Sequence, residues 1–216
     1  MSYVKPQVRD NGFVRDLING DVQAAGEVIG TLTTVGAGSL TAALITGFSI
    51  LSRTGPVGAY ADTVATASDI VAALAVNGQT PMPGSTHRLR ILNTVAFINT
   101  ITTNTGVTLS GTTAIAASSF RDFLITLTNT TPAAIVTGNT TNASAVLSGF
   151  TQAQLALITP GMLVTGTGIA ASSTVLGVNL NAGTVTMNNN ATATAAGISL
   201  TFSPTVSIAG IGGGTI

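Results

Sequence analysis

From Phe123 to Ile216 the chain contains no Asp, Glu, Lys, Arg or His. An ordinary soluble domain devotes about a quarter of its residues to charge. A stretch without any must meet water through Thr, Ser, Asn, Gly and Ala, a surface that hydrogen-bonds but hardly repels copies of itself. The rest of the sequence is nearly as bare. Among 216 residues, seven Lys and Arg balance seven Asp and Glu, with one His and no Cys. Low net charge favours association, so the composition reads as that of a protein that sits against other protein. A net charge near zero leaves no basic footprint, and nucleic acid is not an expected partner. The absence of cysteine excludes a disulfide framework and a thiolate zinc site. The length is ample for a real apolar core, in one large domain or two small ones.

Two segments invite a membrane or export reading. The run from Val28 to Ser52 is uncharged and long enough to span a bilayer. Its apolar residues come in short groups broken by Gly, Ser and Thr, so no membrane contact is expected. The start, "MSYVKPQVRDNGFVRDLINGD", lacks the apolar core of a signal peptide. Export by that route is not expected.

Charge and punctuation divide the chain into three parts. Residues 1–28 hold Lys5, Arg9, Asp10, Arg15, Asp16, Asp21 and Glu27, half of all the charges, and read as an N-terminal docking arm. Within it "FVRDLI" at 13–18 has room for one or two helical turns between Gly12 and Gly20. Residues 29–130 with 203–216 read as the main β domain. Runs rich in Val, Ile, Leu, Phe and Thr recur at 44–51, 88–93, 97–102, 107–110 and 123–128, separated by Gly, Pro, Asn and Ser, the spacing of antiparallel sheets. In "HRLRILN" the alternation places His87, Leu89 and Ile91 on one face and Arg88, Arg90 and Leu92 on the other. One short helix interrupts the strands: "TASDIVAALAVNG" offers Thr66 as N-cap, Asp69 three residues on, and an end at Asn77-Gly78.

Residues 131–202 read as an inserted, charge-poor β-module. "ITLTNTTPAAIVTG" from Ile125 resembles "ISLTFSPTVSIAG" from Ile198, as though one strand once led directly into the last and a module was added between them. Chance likeness among Thr- and Ala-rich strands is the alternative. Turn signals at Pro160-Gly161, Asn181–Gly183 and Asn188–Asn190 bound strands near 162–166, 173–178, 184–187 and 198–202, with a short helical stretch at "TQAQLALI". The fold class expected is therefore mainly β: an antiparallel β-sandwich or barrel-like domain with one short helix, plus the small inserted module.

No catalytic constellation emerges. "GTGIAA" at 166–171 has the spacing of a relaxed dinucleotide fingerprint, but a strand-like "SSTVLGV" follows instead of a helix, and no acidic residue lies downstream. It reads as strand–turn–strand. His87 is the single histidine, so no histidine pair can hold a metal, and no nucleophile motif accompanies it. Asp62, Asp69 and Asp122 lack the alternating oxygens of a calcium loop. No catalytic, cofactor-binding or metal-binding residue is assigned, and the chain reads as a non-enzyme. Arg53, His87, Arg88 and Arg90 are candidates for contacts between subunits, the alternative for the arginines being structural ion pairs; Arg121 and Asp122 are expected to neutralise one another.

"SRTGPVGAYADT" at 52–63, "RLRILNTVAF" at 88–97, "TGVTLSGT" at 105–112 and "RDFLITLTN" at 121–129 together resemble small virion proteins of tailed bacteriophages, of the decoration or cement type. "LITPGMLVTGTGIAASSTVLGVN" is similar to a module of phage head and tail appendages. The resemblance spans roughly residues 37–212 and carries no catalytic residues. It implies a β-rich protein of the virion, made in the host cytoplasm and placed on the capsid surface, where it reinforces contacts between capsomers. The implied partners are the major capsid protein and further copies of the chain, as a homotrimer. Candidate capsid contacts lie in the arm: Tyr3, Lys5, Arg9, Phe13, Arg15 and Leu17. A tail-fibre, spike or adhesin module binding a host glycan is the alternative, although the module offers only Phe150 and Phe202 as aromatic platforms.

Overall fold

The computed structural model describes residues 7–10, 13–16, 22–24, 29–76 and 80–216, with side chains over 29–75 and 80–216. In the arm, β1 (Gln7–Asp10), β2 (Phe13–Asp16) and β3 (Val22–Ala24) pair antiparallel in sequence order. A strand therefore replaces the helical turns expected at Phe13. Backbone pairing on both sides of β2 outweighs what a few residues of helix could gain. The candidates Tyr3, Lys5 and Leu17 lie outside the described residues.

The main unit begins with β4 (Ile29–Leu32), β5 (Gly38–Leu40), α1 (Ala42–Gly47), β6 (Ile50–Arg53), β7 (Tyr60–Val64), α2 (Ala67–Val76) and β8 (Thr86–Asn93). It continues with β9 (Asn99–Thr102), β10 (Val107–Gly111), β11 (Ala114–Ile115) and β12 (Ser119–Asn129). The chain then forms β13 (Ala134–Thr140), β14 (Val146–Leu147), α3 (Gln152–Leu155), β15 (Leu163–Gly166), β16 (Val175–Asn179), β17 (Thr184–Met187) and β18 (Ala195–Ser203). It returns to the main unit as β19 (Thr205–Thr215).

The fold is mainly β, as the composition implies, but strand direction departs from the antiparallel expectation. From β4 to β12 every strand crosses to the opposite sheet. The five even-numbered strands, joined by the last strand β19, build a six-stranded sheet, β10-β19-β12-β8-β6-β4, and the odd ones from β5 to β11 a four-stranded sheet, β11-β9-β7-β5. Because each circuit passes through the facing sheet, successive strands within a sheet run the same way: β4, β6 and β8 are parallel, as are β5, β7 and β9. A parallel pair needs a long crossover, and here a strand of the other sheet with α1 or α2 supplies it. Only β12 and β11 reverse direction.

The two helices occupy corresponding places, between β5 and β6 and between β7 and β8. Thr66 caps α2, its hydroxyl accepting from the Asp69 backbone N–H (3.1 Å) and donating to the Asp69 carboxylate (2.7 Å). The expected end at Asn77-Gly78 lies outside the described residues. α1 takes the first half of what reads as one strand from Leu44 to Leu51. Thr41 caps it by accepting from the Leu44 N–H (3.3 Å), and Ile45 packs into the core.

Between the sheets lies an apolar core including Leu40, Leu51, Ile91, Phe123, Ile125 and Ile208. The alternation along β8 holds: His87, Leu89 and Ile91 are buried, Arg88 is exposed and Arg90 half-buried. A second core, including Leu147, Met162, Val164, Val185, Leu200 and Phe202, is enclosed by two three-stranded antiparallel sheets, β13-β18-β15 and β14-β17-β16.

The chain leaves the main unit and re-enters it at adjoining points. β12 pairs antiparallel with β19 from Ser119 opposite Thr215 to Asn129 opposite Thr205, and Ala134 pairs with Phe202 just beyond. The junction is held by uncharged groups: Asn129 Nδ2 donates to Thr159 Oγ1 and to the Pro160 carbonyl (both 2.9 Å), and the Thr128 hydroxyl donates to Thr205 (2.7 Å). β12 and β19 are thus already placed as the two arms of a hairpin. A chain in which residues 131–203 are replaced by a short Asn-Gly turn is expected to fold, showing a β-type circular dichroism spectrum and one cooperative thermal transition.

Candidate functional site

The ion pairs described in the main unit form two clusters, one sealed and one open. The sealed cluster starts from "SRTGPVGAYAD", which ends β6, turns and begins β7. This brings Arg53 and Asp62 face to face between the sheets, both fully buried. Arg53 Nε donates to Asp62 Oδ2 (2.8 Å) and Nη2 to Oδ1 (3.1 Å). The remaining guanidinium donors go to backbone carbonyls: Nη1 to Leu32, Thr34 and Thr54, Nη2 to Gly36. Asp62 also accepts from the Gly38 N–H (2.8 Å) and from Asn99 Nδ2 (3.0 Å).

The Tyr60 ring lies 4.7 Å from the Arg53 guanidinium carbon, and its hydroxyl donates to Asn93 Oδ1 (2.7 Å). Asn93 Nδ2 in turn reaches the carbonyls of Phe97, Ile115 and Ala116. Burial pushes the Tyr60 phenol up to about 12; Arg53 opposes this and Asp62 reinforces it. One buried guanidinium thus ties together the turns that follow β4 and β6, and its neighbours extend the network to β8, β9 and β11.

The open cluster lies on the outer face of the six-stranded sheet. β8 and β12 pair so that Leu92, Arg90 and Arg88 stand opposite Phe120, Asp122 and Leu124. Asp122 accepts from Arg90 Nε (2.8 Å) and Nη2 (3.0 Å) and from Arg88 Nη2 (2.6 Å). The Arg90 guanidinium carbon sits 4.3 Å from the centroid of the Phe120 ring. The glycine-rich end of β19 makes room for this group. Gly212 and Gly214 lie opposite Asp122 and Phe120, and a Cβ at Gly214 would stand 3.0 Å from the ring.

Arg90 and the other hydrogen bonds hold the Asp122 carboxyl below its ordinary value of 3.8, against the opposing effect of burial. Both guanidiniums bond the Asp122 carboxylate, and the Arg88 side chain remains 60% exposed. Chemically the cluster can offer a planar guanidinium, already oriented, to an acceptor on another molecule.

Several candidates fall elsewhere than the sequence suggests. Arg53 has no surface to present to a neighbouring subunit, because its guanidinium is consumed inside the chain. His87 is buried on the core-facing side of β8, which removes it as a surface contact. Arg88 and Arg90 do face outward. Arg121 does not pair with Asp122: adjacent strand residues point to opposite faces, and Arg121 Nε donates to the Ala114 carbonyl (2.8 Å). Arg9, Phe13 and Arg15 lie on β1 and β2.

"GTGIAA" begins at the last residue of β15 and continues into the turn after it, with β16 following. Among the described residues no three His, Asp or Glu side chains gather to hold a metal, and no helix is long and apolar enough to cross a membrane. Phe150 and Phe202 pack edge to face in the second core (6.2 Å), so neither ring offers a face to a sugar. No protein-family model, curated protein or solved structure matches the chain.

Asp62→Ala, which strands a buried guanidinium, is expected to cost about 3–5 kcal/mol in urea unfolding. Arg53→Met with Asp62→Leu is expected to recover little of this, because the carbonyls of Leu32, Thr34, Gly36 and Thr54 lose their donor. Titration should mark both clusters. The folded-state value of Asp122 is lowered, so its contribution is present above 3.8 and is lost as pH falls through the folded value. Asp122→Asn should flatten that acid limb. Tyr60 is raised, so its contribution is present below pH 10 and is lost as pH rises towards 12. Tyr60→Phe should remove that alkaline loss.

Proposed function

We propose that the chain is a structural protein of a tailed-phage virion that binds the outer surface of the capsid and reinforces contacts between capsomers. Its partners are the major capsid protein and further copies of itself, and it performs no catalysis. The capsid comes from the sequence resemblance alone. The observation that carries a docking role is the outer face of the six-stranded sheet, where Arg88 and Arg90 are held on Asp122 beside Phe120. The same face also carries Ser52, Thr126, Ser207 and Ala209, side chains that lose little entropy on contact. A rigid sheet face with an oriented arginine is suited to a protein surface. Near-neutrality removes the repulsion that would oppose dense packing of many copies on a shell.

Binding that recognises only the assembled shell adds to the shell's stability by mass action. The arm, which holds half of the chain's charges, supplies registry in this reading. The glycan-binding alternative gains no support from the buried Phe150 and Phe202.

The test is co-sedimentation with empty shells of the phage that encodes the chain. Wild-type protein is expected to saturate the shells and raise their melting temperature, whereas Arg88→Glu lowers occupancy at least tenfold with the fold intact. A chain lacking residues 1–28 should remain folded and fail to bind. Wild-type protein that leaves the shells bare would overturn the reading.

A further inference from the structure

The edge of β19 is covered over only part of its length. β10 pairs with it from Val206 to Gly210 and then leaves at Gly111, where φ is +67°. Thr112 crosses towards the other sheet so close over Gly210 that a Cβ there would strike its carbonyl. From Ile211 to Thr215 β19 is therefore paired on one side alone, with β12. Among the described residues no other strand lies against that stretch, and Ile211, Gly213, Gly214 and Thr215 are exposed.

The ladder shows which backbone groups are left over. The Ile216 N–H donates to the Ser118 carbonyl (3.1 Å), and the register runs unbroken from Ser119 opposite Thr215 to Asp122 opposite Gly212. Bonded and non-bonded pairs alternate in an antiparallel ladder. Gly214 and Gly212 therefore bond β12, whereas the N–H and C=O of Gly213 and Thr215 face the free edge. Glycine at 212, 213 and 214 keeps side chains away from it.

Beside this edge stands a cation without an anion. Arg121 lies opposite Ile91 on one side and Gly213 on the other, so its side chain starts on the core-facing side of the sheet. Its Nε donates to the Ala114 carbonyl (2.8 Å), and a Cβ at Gly213 would stand 3.5 Å from its guanidinium carbon. The half-buried guanidinium is thereby held against bare glycine backbone. Among the described residues no carboxylate forms an ion pair with Arg121, and its Nη1 and Nη2 make no hydrogen bond.

That charge decides the occupant. An unpaired edge accepts a further strand, and a fixed guanidinium beside it selects a carboxylate. A second copy presenting the same edge would bring another Arg121 and no acid, since residues 211–216 have no ionisable side chain. We infer that the edge at Gly213 and Thr215 takes up an extended, acidic peptide segment of another protein, which continues the place of β10 in the sheet and sets one Asp or Glu against Arg121.

The test uses the full chain without any shell, so its outcome is separate from that of capsid binding. The probe is a display library of random heptapeptides panned on the immobilised chain. Enriched peptides should share an Asp or Glu within a run of strand formers such as Val, Ile and Thr. For a synthetic copy of the most enriched peptide, Arg121→Gln in the chain and exchange of the peptide's acid for its amide should each weaken binding about tenfold, and together no further. N-methylation of one alternate set of peptide amides should abolish binding and of the other set leave it unchanged, with the chain itself untouched. Thr215→Pro removes an edge-facing N–H and no bond to β12. It should abolish binding while leaving the circular dichroism spectrum and the mass in sedimentation velocity unchanged. A library that yields no binder, binders that lack an acid, or binding that survives Arg121→Gln or either N-methylation would overturn the inference. So would a mass that falls in Thr215→Pro, which would assign the edge to a second copy.

Discussion

A guanidinium removed from water must find a partner for each of its donors, and the first turns of the main unit are arranged around that demand. Arg53 has one carboxylate and four carbonyls within reach: Asp62 comes from β7, Leu32 from the end of β4, and Thr34, Gly36 and Thr54 from the turns that follow β4 and β6. Asp62 answers with acceptor sites for Gly38 and Asn99, which brings in β5 and β9. Backbone groups in irregular segments usually find water, and a buried one without a partner is costly. Here the side chains of a single ion pair and of Asn93 take the place of that water. A sandwich whose turns are satisfied from within can leave their outer surface apolar.

The path of the chain gives that pair its leverage. Because each strand crosses to the facing sheet, neighbouring strands in a sheet are separated by one circuit, and the turns of successive circuits lie side by side. A meander would have placed these turns alternately at opposite ends. The coil places those after β4, β6 and β8 at one end, where one residue can reach two of them and its network the third. The same geometry leaves the outer face of the large sheet uncovered by α1 and α2, which link the sheets and pack into the core.

Much of the local structure was legible. The alternation in "HRLRILN" identifies the buried and open faces of β8, and Thr66 with Asp69 marks the start of α2. The turn signals around Pro160, Asn181 and Asn188 bound strands close to those observed, with β17 recovered at Thr184–Met187. Strand direction was not legible, since a period of two says which face a residue takes but not which sheet its strand joins. α1 was hidden because its Leu and Ile continue into the equally apolar β6. The pairing of Arg53 with Asp62 left no local trace: the partners sit in different strands, joined across a turn rather than by a helical or cross-strand spacing. Arg121 and Asp122, adjacent in sequence, suggested a pair that the pleat of a strand forbids.

The adjoining exit and re-entry points also bear on how the molecule reaches its native state. Closing a long flexible segment costs entropy that grows with the logarithm of its length, and contacts distant in sequence slow folding. β19 must enter between β10 and β12, and β10 has no other partner in its sheet among the described residues. Once residues 134–203 have collapsed around Leu200 and Phe202, the tether between β12 and β19 shrinks to the few residues on either side of that unit. Early collapse of the uncharged half would therefore deliver the final strand to its slot and allow β10 to dock last, making the second unit a kinetic aid to completing the first.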